Sequence, residues 1–145
     1  MSSALRVHQV AHALHRAGFA QAAQMLSRLA RVVFGAVLPP EARIGEGTEL
    51  GYGGLGVVLH KDAVIGRNVL ISPGVVVGGR SELPGVPVIE DGARIGAGAK
   101  ILGPIRIGAG ARVGANAVVI HDVAPGETVA GVPARPVRKP KLRTA

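Results

Sequence analysis

The amino-acid sequence predicts a mainly β chain, a parallel β-helix wound from six-residue repeats and preceded by a short helical segment. Three observations carry this. Positions 59, 65, 71, 77, 83, 89, 95, 101, 107, 113 and 119 are all Leu, Ile or Val. At the abundance of these residues, such a run arises by chance on the order of once in a million. Glycine directly follows several of these anchors, at 66, 78, 96, 108 and 114, and the residue four places on is small or β-branched, as at Ala63, Val69, Val75, Ala93, Ala99, Ala111 and Ala117. A period of six fits neither an amphipathic helix nor a long strand, so the chain turns once per repeat. One short strand and turn cannot bury its apolar side alone; it must stack on copies of itself.

Residues 1–37 read as helical. Val7, Val10 and Leu14 fall on one stripe and Ala22, Met25, Leu29 and Val33 on another, with Gly18 and Gly35 as the expected stops. His8, His12 and His15 share a face of the first helix, which by itself indicates a solvated cluster rather than a metal site. The pair is expected to pack on the main body; its four arginines and lack of acid also suit contact with an anionic membrane surface. Pro39 and Pro40 mark the boundary with the second unit, residues 38–134.

If three repeats form one triangular coil, residues 18 apart lie above one another. Leu59, Val77, Ile95 and Val113 are then expected to form one interior column, and Ile71, Ile89 and Ile107 a second. Two segments disturb the count. The step from Leu50 to Leu59 is nine residues, across Gly51-Tyr52-Gly53-Gly54-Leu55-Gly56. The stretch between Val77 and Ile89 carries two prolines and is expected to loop out although Leu83 keeps the count. Irregularities on a rigid repetitive frame are where binding concentrates. Residues 135–145 form a basic tail.

Composition removes several function classes. Cysteine is absent, which excludes thiol catalysis and thiolate metal sites. No stretch has the length or apolarity of a membrane span or a signal peptide, so a soluble, cytoplasmic protein is expected. The net charge of +8 sits at the two ends. With only Phe19, Phe34 and Tyr52 as aromatics, base stacking has almost no support and nucleic-acid binding is not expected.

Ala63-Val64-Ile65-Gly66, Val77-Gly78-Gly79, the run Ile95 to Gly103 (IGAGAKILG), the run Ile107 to Val119 (IGAGARVGANAVV) and Gly131-Val132-Pro133-Ala134-Arg135 appear in this order. Together they make the span from about Pro40 to Pro140 similar to bacterial serine O-acetyltransferases and their relatives among the hexapeptide acyltransferases. The resemblance implies a left-handed β-helix, a homotrimer, and acetyl-CoA in a groove between neighbouring β-helices. It implies that the Gly79 amide, beside Gly78, faces the thioester and that Ala97 and Ala115 line the pantetheine groove. Ala134, Arg135, Arg138 and Lys139 correspond to the family's terminal segment near the nucleotide. Tyr52 and Gly53 fall where the family carries an Asp-His pair, in the region of the acceptor substrate, and the family's second acid falls near Val37 or Leu38. No cysteine synthase complex is expected, because the terminal Arg143-Thr144-Ala145 lacks the docking isoleucine.

Acyl transfer to a hydroxyl needs a base and an oxyanion donor. His60 follows the glycine-rich irregularity and has Asp62 close by, so it is the candidate base, with the Gly79 amide as oxyanion donor and Asp62 or Glu49 orienting the ring. His121, beside Asp122, is a weaker candidate. The acceptor is a sugar or polysaccharide hydroxyl or a serine-like one. A catalytically silent scaffold is the alternative, since the usual dyad is missing. A zinc enzyme of the γ-carbonic anhydrase kind needs three converging histidines, and only His60 and His121 lie in the repeats, so no metal is expected.

Overall fold

The computed structural model describes residues 1–138 and shows two helices followed by a left-handed parallel β-helix of about four turns. Lys139 lies outside the described residues. Ser3–Arg16 forms α1, opened by Ser2, whose hydroxyl accepts from the Leu5 amide. Ala20–Phe34 forms α2 and ends at Gly35, whose φ of 65° is the left-handed conformation that a helix-ending glycine adopts without strain. No helix among the described residues is long and apolar enough to cross a membrane.

The helices do not bury the stripes expected of them. The buried positions are Ala4, Leu5, His8 and Ala11 in α1 and Ala23 and Ala30 in α2, whereas Val10, Met25, Leu29 and Val33 are exposed. Small residues let helix axes come close, so the alanine faces pack inward and the larger side chains are left outside.

The histidines also differ from expectation. His8 Nε2 donates to the Pro39 carbonyl at 3.1 Å and His12 Nδ1 to the Pro40 carbonyl at 2.7 Å, with the two rings stacked at 5.9 Å. Together with Ser27 Oγ donating to the Leu38 carbonyl at 2.9 Å, they tie the helices to the start of the β-helix. His8 is 4% exposed, and burial lowers its pKa below the ordinary histidine value.

The β-helix has three faces. The first stacks Arg43–Ile44, Val64–Ile65, Val88–Ile89 and Arg106–Ile107. The second stacks Glu49–Leu50, Leu70–Ile71, Arg94–Ile95, Arg112–Val113 and Thr128–Ala130, with Arg135–Pro136 returning antiparallel on the last. The third stacks Val58–Leu59, Val76–Gly78, Lys100–Leu102 and Val118–Val119. Each strand sends one aliphatic anchor inward, and the small residue four places later fills the corner beside it; Ala63, Val69, Val75, Ala93, Ala99, Ala111 and Ala117 are all buried.

The expected columns are corrected at one point. Leu59 does stack on Val77, but Val77 stacks on Ile101 and not on Ile95, and the column ends at Val119. Ile95 and Val113 belong with Leu50 and Ile71, while Ile89 and Ile107 belong with Ile44 and Ile65. The cause is the excursion between Gly79 and Pro87. It loops out as its prolines predict, Leu83 is 44% exposed and fills no rung, and every later residue is displaced by one repeat.

The repeat glycines serve two separate needs. Three places after an anchor the backbone turns through positive φ, taken by Gly74 and Gly98 but also by Asn68 (53°) and Asn116 (57°). Directly after an anchor the need is space. A Cβ on Gly96 would lie 2.6 Å from the Ala115 nitrogen and 2.7 Å from the Val113 oxygen on the next coil.

Candidate functional site

Two edges of the β-helix carry the residues singled out from the sequence. Where the third face gives way to the first, the Leu59–Val77 rung is followed by His60 on one coil and Gly78-Gly79 on the next. The His60 amide donates to the Val77 carbonyl at 2.8 Å, and the Gly103 amide donates to the Gly78 carbonyl at 2.9 Å. His60 is held at the corner by its own turn, the Ala63 amide donating to the His60 carbonyl at 3.0 Å.

The His60 ring is partly exposed, and its Nδ1 accepts the Asp62 backbone amide at 3.1 Å. In a neutral ring with that contact the proton sits on Nε2. The Asp62 carboxylate lies 3.8 Å from Nδ1 and 3.4 Å from Lys61 Nζ. An Nε2 lone pair available to a substrate requires the other tautomer, with the proton on Nδ1, which is the form a carboxylate hydrogen bond at Nδ1 would favour. Glu49 does not share this corner; it lies on the second face, in a groove with Asn68 and Arg94.

Gly78 and Gly79 are unlike the spacing glycines. Neither has positive φ. A Cβ on Gly78 would meet nothing closer than Leu102 Cδ2 at 3.8 Å, and one on Gly79 nothing closer than the Gly85 oxygen at 3.7 Å. The protomer's own fold gives no reason for two glycines here. They leave bare backbone facing outward beside His60, rimmed by the exposed excursion from Arg80 to Gly85.

The second edge, between the second and third faces, gathers the other candidates. Ala97 and Ala115 are exposed and adjacent, the Asn116 amide donating to the Ala97 carbonyl at 2.8 Å. Above them Ala130 touches the Gly114 position, the Ala134 amide donates to the Val118 carbonyl at 2.8 Å, and Arg135 pairs with Ala130. Arg135 and Arg138 are exposed. Below them Tyr52 and Gly53 protrude from a short helical turn, Tyr52 with φ 50° and 90% exposure. From the strand that precedes Tyr52 to the one that carries Arg135 is five strand spacings, about 24 Å. This edge carries exposed small residues at Ala97 and Ala115 and ends at the guanidinium groups of Arg135 and Arg138, which suit an anionic group.

One protomer does not bring these two edges together. They bound opposite sides of the third face, up to about 20 Å apart for a six-residue span. Lys100, on that face, is engaged structurally, its Nζ donating to the Gly98 and Gly74 carbonyls at 2.7 and 3.0 Å. His121 is exposed three rungs above His60, and Asp122 is taken up by the Arg106 amide at 2.8 Å, so the two histidines do not converge. Among the described residues no three His, Asp or Glu side chains are grouped to hold a metal ion. Sequence reading missed the part played by His8 and His12; the signal for it was the Pro39-Pro40 pair, whose carbonyls lie ahead of the first rung and need donors from elsewhere.

Known proteins match this architecture. The family model described as bacterial transferase hexapeptide (six repeats) matches residues 87–121. The chain is 40% identical over 136 residues to the serine acetyltransferase of Bacillus subtilis (strain 168), covering 92% of this chain and 62% of the relative. It is 40% identical over 138 residues to that of Helicobacter pylori (strain J99), covering 94% of this chain and 80% of the relative. Soybean serine acetyltransferase complexed with serine superposes with a TM-score of 0.88 at 46% identity, over 92% of this chain and 56% of that one. Serine acetyltransferase in complex with coenzyme A from Brucella abortus strain S19 superposes with a TM-score of 0.90 at 38% identity, over 94% of this chain and 55% of that one. The chain thus spans less than two thirds of the Bacillus relative and little more than half of the solved ones.

Proposed function

Because the chain belongs to the serine acetyltransferase family of hexapeptide transferases, we propose that it transfers the acetyl group of acetyl-CoA to a hydroxyl group by direct attack, in a homotrimer. The observation that carries this is the pair Gly78-Gly79, two glycines with neither positive φ nor a packing need, set on the rung beside His60. Bare outward backbone beside an imidazole is what a thioester carbonyl needs, an amide to hold the developing oxyanion and a base for the attacking hydroxyl.

Association supplies what one protomer lacks. The small-residue edge with Ala97 and Ala115 suits pantetheine, and Arg135 and Arg138 suit the phosphates, while the reacting groups stand on the other edge. Packing three β-helices around an axis sets one edge of each copy against the other edge of its neighbour, so the donor lies between two chains. His60 Nε2 then takes the acceptor proton as the hydroxyl oxygen bonds to the carbonyl carbon. The tetrahedral oxyanion rests on the Gly79 amide, the C–S bond breaks, and the CoA thiolate leaves with the proton carried by His60. Asp62 holds the Nδ1 proton and keeps the ring in the useful tautomer.

The serine acetyltransferases among the relatives support an amino-acid hydroxyl such as that of serine as acceptor. The test is thiol release from acetyl-CoA with serine, homoserine and nucleotide sugars offered separately. Turnover on serine, falling about 100- to 10,000-fold in His60→Ala, is expected. Turnover on nucleotide sugars alone would move the acceptor to a sugar hydroxyl, and acetyl-CoA binding without turnover on any acceptor would overturn the enzymatic reading in favour of a silent scaffold.

A further inference from the structure

The outward side of α2 is built the wrong way round for a helix that meets only water. Ala23 and Ala30 face the protein, while Met25 (69% exposed), Leu29 (59%), Val32 (83%) and Val33 face away. Spacings of three and four put these four on one stripe. Arg28 borders the stripe and lines a surface groove with Met25, and Arg31 follows one turn later. α1 repeats the arrangement: an open groove of about 620 Å³ is lined by Val10, Ala13, Leu14, Ala17 and Phe19 with Arg6 beside them. Residues 1–37 contain four arginines and no aspartate or glutamate. The nearest acid in sequence, Glu41, accepts from Gln24 at 2.8 Å.

We propose that this helical pair lays the α2 stripe on an anionic lipid surface, seating Met25, Leu29, Val32 and Val33 at the headgroup boundary while Arg28 and Arg31 meet lipid phosphates. Charge selects this occupant. The stripe is flanked on one side by Arg28, beside the neutral Gln21 and Gln24, with Arg31 further round the same side, and the segment carries no acid, so its charge is complementary to a negative layer. Neither helix can span a bilayer, so the protein would lie on the surface. The large exposed side chains are absent from the core of the β-helix, which is complete without them.

The test is sedimentation of the full chain with phosphatidylglycerol-containing vesicles and with pure phosphatidylcholine vesicles. Binding to the anionic vesicles alone, weakened by raised salt, is expected. Arg28→Gln and Arg31→Gln should each weaken partitioning about fivefold. Val32→Asp, at a position too exposed to disturb folding, should weaken it on the order of tenfold or more. Absence of binding to anionic vesicles, or equal binding to both kinds, overturns the proposal. So does a Val32→Asp variant that lowers the oligomer size in sedimentation equilibrium without altering vesicle binding, which would assign the stripe to a second copy of the chain. Thiol release by these variants in solution should be unchanged, so a failure here is distinguishable from failure of the acetyl-transfer reading.

Discussion

Gly79→Ala and Gly96→Ala are the same substitution at two corners of the β-helix, and they are expected to fail in opposite ways. At Gly96 the added Cβ would stand 2.6 Å from the Ala115 nitrogen, 2.7 Å from the Val113 oxygen and 2.8 Å from the Gly114 carbonyl carbon. All three are backbone atoms of the next coil, and the Gly96 amide donates to that same Val113 oxygen at 2.8 Å. The rung must part, and overpacking of this kind costs about 1–3 kcal/mol. For a domain of this size each kcal/mol lowers Tm by about 2–4 °C, so a fall of about 2–12 °C is expected. At Gly79 the nearest atoms would be the Gly85 oxygen at 3.7 Å and Val86 Cγ1 at 3.9 Å, which is ordinary contact. Stability should therefore hold, or rise by about 0.4–1 kcal/mol through the less flexible unfolded chain. The methyl group instead occupies the space in which a thioester carbonyl must approach the amide, and a displacement of about 1 Å there costs about 100-fold in turnover. Thermal unfolding by circular dichroism and thiol release at saturating acetyl-CoA read the two effects separately. A Gly79→Ala protein that melts as early as Gly96→Ala, or that keeps full turnover, refutes the reasoning.

Three further outcomes follow from the geometry. Ala97→Trp, on the exposed small-residue edge, should raise KM for acetyl-CoA by on the order of tenfold or more while leaving Tm unchanged, since the side chain points away from the core; isothermal calorimetry with CoA checks it. Asp62→Asn should lower kcat with little change in KM for acetyl-CoA, and shift the acid limb of the pH–rate profile, because the carboxylate acts through the His60 ring. His8, whose pKa burial holds below the ordinary 6.5, binds its proton more readily when unfolded. Stability conferred by the neutral buried ring is therefore complete above 6.5 and is lost as pH falls from there toward the folded pKa; thermal melts between pH 8 and pH 5 should show that slope in the wild type and a flatter one in His8→Gln.

The six-residue period was enough to read the β-helix, its interior anchors and the loop near Leu83, because each anchor's burial is decided locally by its own turn. Column membership was not legible. The 79–87 excursion consumes one whole repeat without contributing a rung, and nothing in the spacing distinguishes Leu83 from a buried anchor until its exposure is known. The helical stripes misled for a related reason. Periodicity finds an apolar face but does not say which face is covered, and here alanines pack inward while Met25 and Leu29 stay outside. His60 and Gly78-Gly79 were found as separate signals, and their adjacency required the register of Leu59 on Val77. That Ala97 and Ala115 stand on a different edge from Gly79 follows only from the three-sided winding, and it is the reason the proposed site draws on a neighbouring copy.

Subunit mixing tests that shared site most directly. His60→Ala damages one edge and Ala97→Trp the other, so at acetyl-CoA well below the wild-type KM each homotrimer alone should retain about a tenth of wild-type turnover or less. Co-expressed in equal amounts, random mixed trimers should contain intact pairs of edges at about one quarter of their interfaces and recover about one quarter of wild-type turnover. Activity no higher than that of the separate variants, or a wild-type protein that is active as a monomer, contradicts a donor site built between two chains.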